Sequence, residues 1–295
     1  MQFLLCDFDF GIFIMKHIVS LLICLLVFYS CKTNRYGFPE YLASELSNND
    51  SDSYRFVLLD NYLDYTTVAP IIEYRVNNQS LYMAIDTGGT RSILLRPKID
   101  SLISEEYLKS VEQFDYSGDK ICEFCFEGDN FKYVVDPLGN FTTSQKYNYF
   151  DGFLGEDYLT QFKNVVFDYT QNKFYVDQNP ICDKSLPMHK HDEWNLFFID
   201  IEVNGEKTSG MIDTGSKIVF LSNVKNQNFR TNEFNYVDLR IGDINYENLE
   251  IGYGGEIITN KRAFEIMETY NIIGYPCFKD HVIQLDFEHN TFRIK

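Results

Sequence analysis

The chain has 295 residues, 45% of them hydrophobic, enough to bury the core of one large domain or two ordinary ones and too much for a disordered chain. Its formal net charge of −17 argues against a nucleic-acid partner, because binding a phosphate backbone needs clustered cations; the acidity reads as a solvated surface. Phe (26) and Tyr (21) dominate the aromatics over a single Trp, and many short runs of Val, Ile, Phe and Tyr favour β structure.

Residues 1–30 read as a signal peptide. Lys16 and His17 precede an apolar run, Ile18 to Tyr29, whose 12 residues fit a signal peptide and are short for a membrane span. Asp7 and Asp9 are unlike a basic leader, which makes Met15 an alternative start. The run ends in Ser30-Cys31 and so resembles a bacterial lipoprotein signal, although Val27, Phe28 and Tyr29 match that motif loosely. The resemblance implies lipidation at Cys31 and a membrane-anchored protein of a bacterial envelope. An uncleaved signal anchor or plain secretion is the alternative, and all of these mean export. Residues 31–66, with the polar run Ser47 to Ser53, read as a tether or as a propeptide lying across a cleft.

Beyond this, short strand-like runs alternate with turn signals to the C-terminus, and helices are expected over Ile99–Val111 and Lys261–Tyr270. Cys122 and Cys125 form a C-x-x-C pair inside a strand-like run, where positions three apart face opposite ways, so they read as packed cysteines. A Cys182–Cys277 disulfide is conceivable. His189-Lys190-His191 reads as solvated. No histidine pattern suggests a nucleophilic triad, and no phosphate-binding or dinucleotide fingerprint occurs.

The decisive feature is an internal repeat. Val76 precedes Asp86-Thr87-Gly88-Gly89 by ten residues, and Val203 precedes Asp213-Thr214-Gly215-Ser216 by ten, each copy reading as strand, tight turn and strand. Phe126-Glu127-Gly128-Asp129 then matches Arg240-Ile241-Gly242-Asp243. Finally Phe153-Leu154-Gly155 leads to Asp168 after 13 residues, as Ile272-Ile273-Gly274 leads to Asp286 after 12. Three matches in one order mark a duplication.

Over about Thr67 to Lys295 these motifs resemble the pepsin-like and retropepsin-like aspartic peptidases. The resemblance implies an all-β, bilobal fold, with lobes at 67–178 and 192–295, a linker at 179–191 and a central cleft. Asp86 and Asp213 would form the catalytic dyad, Thr87 and Thr214 would tie the two loops together, and Gly88 and Gly215 would let them approach. Gly155 and Gly274 would pack beside them in ψ-shaped loops. The hairpin around Tyr116-Ser117-Gly118-Asp119 is the candidate flap. Two adjacent carboxylates share a proton and can activate water, so no metal, cofactor or covalent intermediate is needed. Because one chain holds both halves, dimerisation is not required for catalysis, and the partner is a peptide or protein substrate. Ser216, opposite Gly89, is expected to hydrogen-bond Asp213 and leave the shared proton on Asp86. The competing readings are a catalytically silent peptide-binding module and a structural envelope lipoprotein.

Overall fold

The computed structural model describes residues 40–46, 53–58, 69–76, 79–95, 108–116, 119–126, 133–135, 150–191, 195–222, 235–252 and 270–295, all within the compact unit Phe38–Lys295. It is all-β, with three short helices among the described residues.

The first two elements correct the expected tether. Helix α1 (Glu40–Leu46) buries Leu42 and Leu46, one turn apart on one face, against Val57, Ile71, Ala84 and Phe153. Strand β1 (Tyr54–Val57) pairs with two strands distant in sequence, through Phe56↔Ile72 and Tyr54↔Phe174. Both belong to the first half of the molecule, which therefore begins well before residue 67. A seven-residue helix with two core positions and a four-residue strand are too short to show a period, and polar neighbours conceal them.

Strands β2 (Ile71–Val76) and β3 (Gln79–Ile85) form the first hairpin. Leu81, Met83 and Ile85 alternate into the core with no exposed surface. After Asp-Thr-Gly come β4 (Ile93–Leu94), β5 (Leu108–Tyr116), β6 (Asp119–Phe126), β7 (Tyr133–Val135) and β8 (Gly152–Leu154). Strand β8 lies parallel to β3, β4 lies between β8 and β7, and β7 pairs back onto β6. The helix expected over Ile99–Val111 is overturned where it is described. Leu108 opens β5, whose backbone pairs with β6 as far as Tyr116↔Asp119, so cross-strand bonds replace those a helix would have made within itself.

The second half repeats this path with β11 (Leu186–Lys190), β12 (Phe197–Val203), β13 (Glu206–Ile212), β14 (Val219–Phe220), β15 (Asn235–Ile241), β16 (Ile244–Gly252) and β17 (Asn271–Ile273). Thus β11 occupies the expected linker. Asn204 and Gly205, at φ 49° and 82°, make the tight β12–β13 turn in the left-handed region that asparagine and glycine tolerate. Strands β12, β13, β17, β14, β16 and β15 close into a barrel when β15 pairs back onto β12. Gly242-Asp243 forms the β15–β16 turn; the matching Gly128-Asp129, between β6 and β7, lies outside the described residues. The helix expected over Lys261–Tyr270 also lies outside them, except for Tyr270.

A shared sheet joins the halves. It contains β9 (Asn164–Asp168), β10 (Lys173–Val176), β18 (Val282–Asp286) and β19 (Thr291–Ile294), in the order β1-β10-β9-β18-β19-β11. Val166 and Gln284, equivalent in the repeat, pair with each other across β9 and β18, so the pseudo-two-fold axis passes between them. One continuous core cluster runs through both halves, from Phe56 to Phe292. Among the described residues no helix is long and apolar enough to cross a membrane; the leader and Cys31 lie outside them.

Candidate active site

Asp86 follows Ile85 at the end of β3, and Asp213 follows Ile212 at the end of β13. Each is fixed by its own backbone, the Asp86 N–H donating to Leu154 O and the Asp213 N–H to Ile273 O, both at 3.0 Å. The inner strands therefore deliver both aspartates from rigid elements. Each carboxylate then receives the N–H of the glycine two residues on, Gly88 to Asp86 Oδ1 and Gly215 to Asp213 Oδ1, at 2.9 Å.

Thr87 and Thr214 join the loops reciprocally. The Thr87 N–H donates to Thr214 Oγ1 (3.1 Å) and the Thr214 N–H to Thr87 Oγ1 (2.9 Å). Each hydroxyl donates onward across the pseudo-axis, Thr87 to Ile212 O (2.9 Å) and Thr214 to Ile85 O (3.0 Å). Both side chains are buried, so the network is fully used and shielded from water.

The aspartates face each other closely. A Cβ on Gly88 would sit 2.5 Å from Asp213 Cγ, and one on Gly215 would sit 2.7 Å from Asp86 Oδ1. Burial raises both pKa values above the ordinary carboxylate range. For Asp213 the nearby Asp86 charge adds to this, while the Gly88 N–H holds Asp86 down and the Gly215 N–H holds Asp213 down. The pair therefore shares one proton between two matched carboxyl groups. The Ser216 hydroxyl does not reach the carboxylate as expected; it donates to Ile218 O at 2.9 Å.

Gly155 and Gly274 support the loops from below. A Cβ on Gly155 would lie 2.7 Å from Gly89 O, and one on Gly274 2.3 Å from Ile218 O. After them, helices α2 (Glu156–Leu159) and α3 (Tyr275–Phe278) begin, with the Glu156 N–H donating to Gly89 O (2.8 Å) and the Tyr275 N–H to Ser216 O (2.9 Å).

Around this symmetric centre the side chains differ, and sequence reasoning did not single them out. Beside Asp86, the buried Ser92 receives the Gly155 N–H on its hydroxyl (2.9 Å) and donates both N–H and O–H to Asp157 Oδ1 (2.8 Å each). Burial raises the Asp157 pKa against the Ser92 donors, which hold it down. Glu156 is buried and pairs with Lys190 of β11 at 2.6 Å. Beside Asp213 the equivalent of Glu156 is Tyr275, whose ring lies 5.9 Å from that of Tyr169. The Tyr169 hydroxyl is buried with no hydrogen-bond partner, and burial, Tyr275 and Asp213 all push its pKa up. The legible signal was the broken repeat itself, since Gly155 is followed by Glu-Asp and Gly274 by Tyr-Pro.

The remaining candidates lie elsewhere. Cys182 and Cys277 are free, the latter fully buried with its thiol pKa pushed upward. The His-Lys-His run is not simply solvated, because Lys190 holds Glu156 and His191 meets the Tyr270 hydroxyl at 2.7 Å. Among the described residues no cluster of His, Cys, Asp or Glu is placed to hold a metal ion. No protein-family model matches the sequence, and no curated protein matches it.

Proposed function

We propose that the chain is an aspartic endopeptidase of bilobal, pepsin-like or retropepsin-like fold, with Asp86 and Asp213 as its catalytic pair. The observation that carries this reading is the reciprocal joining of two Asp-Thr-Gly loops, which brings two partly accessible carboxyl groups face to face. With one proton shared by the pair, the ionised aspartate takes a proton from a water while the protonated one donates to the scissile carbonyl oxygen. The resulting hydrated intermediate collapses as a proton passes to the leaving amine, and the C–N bond breaks. One water is consumed, and one acid and one amine are released. The β5–β6 hairpin is the proposed flap, and the lipidated leader at Cys31 the proposed envelope anchor.

The test is cleavage of a mixed peptide library by the full chain beside Asp86→Asn and Asp213→Asn, between about pH 3 and pH 8. Wild-type cleavage lost in both variants and blocked by pepstatin is expected. A folded wild type that binds pepstatin without cleaving would replace this reading with a peptide-binding module.

A further inference from the structure

Among the charged groups around the site, one pair stands out because it joins the two halves on one side only. The Glu156 side chain is 5% exposed and its carboxylate meets Lys190 Nζ at 2.6 Å. Lys190 also lies over the Phe197 ring, 5.5 Å from its centroid. Lys190 is paired with Phe197 across β11 and β12, and β12 is the neighbour of β13, which ends at Asp213. Glu156 belongs to the other half, where its N–H holds Gly89 O, and Gly89 in turn donates its N–H to the backbone carbonyl of Asp86 at 3.1 Å. A continuous chain of contacts therefore runs Lys190, Glu156, Gly89, Asp86.

The fold does not demand this pair. Under the repeat, Lys190 corresponds to Leu58 and Glu156 to Tyr275, both packed against the core cluster without an ion pair at the equivalent place. A buried carboxylate is costly unless paired, so a one-sided ion pair at this position needs a reason beyond stability.

We propose that Glu156 and Lys190 are positioning residues, an inter-half latch that fixes the Asp86 loop against the strand pair delivering Asp213. The latch holds the Asp86 loop at its close approach to Asp213, and that closeness is what separates the two titrations of the pair. Its charge acts through the loop; the titratable groups that face the dyad itself are the two aspartates and, next to Asp213, Tyr169 with its neighbour Tyr275.

The kinetic part of this inference rests on the peptidase reading, so the decisive readout is independent of activity. Carboxyl-carbon NMR of the full chain, with Asp86 and Asp213 assigned through their Asn variants, gives the titration of the dyad directly. Lys190→Met strands a buried carboxylate and can fail to fold, so the informative variant is Lys190→Met with Glu156→Gln, which removes both charges and keeps the Glu156 backbone N–H. Its first dyad titration is expected to move to higher pH, with Lys190→Arg behaving like wild type. In the peptidase assay kcat is expected to fall on the order of ten- to a hundredfold with little change in KM, the scale of a slightly misplaced catalytic group. A double variant whose dyad titrates as in wild type overturns the latch, even if its melting temperature falls. A wild type that never cleaves peptides while its titration depends on the latch overturns the peptidase reading alone.

Discussion

At the scale of single residues, close approach decides more than chemistry does. Gly88 and Gly89 are neighbours of one type, yet a Cβ on Gly88 would meet the Asp213 carboxyl at 2.5 Å, whereas one on Gly89 would meet nothing nearer than Asp86 O at 3.4 Å. Gly88→Ala must push the two aspartates apart and is expected to lower kcat/KM by roughly a hundredfold or more, while Gly89→Ala stays near wild type. Equal losses in a peptide-cleavage assay would contradict this geometry. A second residue-scale expectation concerns stability. Asp213 has its folded pKa raised above 3.8, so the folded protein holds that proton more tightly than the unfolded chain. Its contribution is full below the unfolded pKa and is lost as pH rises through the folded value, leaving the site under strain at neutral pH. Asp213→Asn carries no such charge, so it is expected to unfold at higher denaturant than wild type at pH 7, with the gap closing below about pH 3.8. A constant gap across pH would mean that the substitution acts through packing instead.

At the scale of elements, the strands that carry the site were legible and those that brace it were not. The ten-residue spacing from Val76 to Asp86 and from Val203 to Asp213 encodes a hairpin and an inner strand in each half, and the structure has both. What escaped was decided by distant partners. β1 is a strand because Phe174 and Ile72 flank it, and β11 lies in a presumed linker because Phe292 and Ile199 take it into two pairings. The departures beside the dyad were hidden for a related reason. Nothing in the order Glu156-Asp157 shows that one acid meets Lys190 and the other Ser92. These readings meet in α1. Leu46 has no exposed surface and sits in the same cluster as Ala84, next to the strand end that bears Asp86. Leu46→Ala is expected to cost about 2–5 kcal/mol in urea unfolding. Removal of residues 32–64 is expected to destabilise the whole fold rather than activate an enzyme, because it deletes α1 and β1. A truncated chain that stays folded and gains activity would restore the propeptide reading.

At the scale of the whole molecule, the two halves behave as one because the sheet between them is continuous. Its central pair, β9 and β18, places Gln284 opposite Val166 on the pseudo-axis, and Gln284 is 1% exposed. This buried amide breaks the symmetry of the sheet and is fully used. Its Nε2 donates to Asn164 Oδ1 at 3.0 Å in the first half, and its Oε1 accepts the Ile181 N–H at 3.2 Å from the segment connecting the halves. The apolar core crosses the same boundary without interruption. Neither half can open without exposing that core and leaving the amide network unpaired, so unfolding is expected to be a single transition despite the internal duplication. Gln284→Leu keeps the volume and removes the hydrogen bonds, leaving the half-buried Ile181 N–H without its partner. It is expected to lower the unfolding free energy by about 1–3 kcal/mol while the transition stays single and the pH dependence of cleavage stays unchanged. Calorimetry resolving two separate transitions in the wild type would show that the halves fold independently and that the shared sheet is only a seam. A Gln284→Leu variant that instead shifted the pH profile would mean that the sheet, as well as the latch at Lys190, sets the geometry of the dyad.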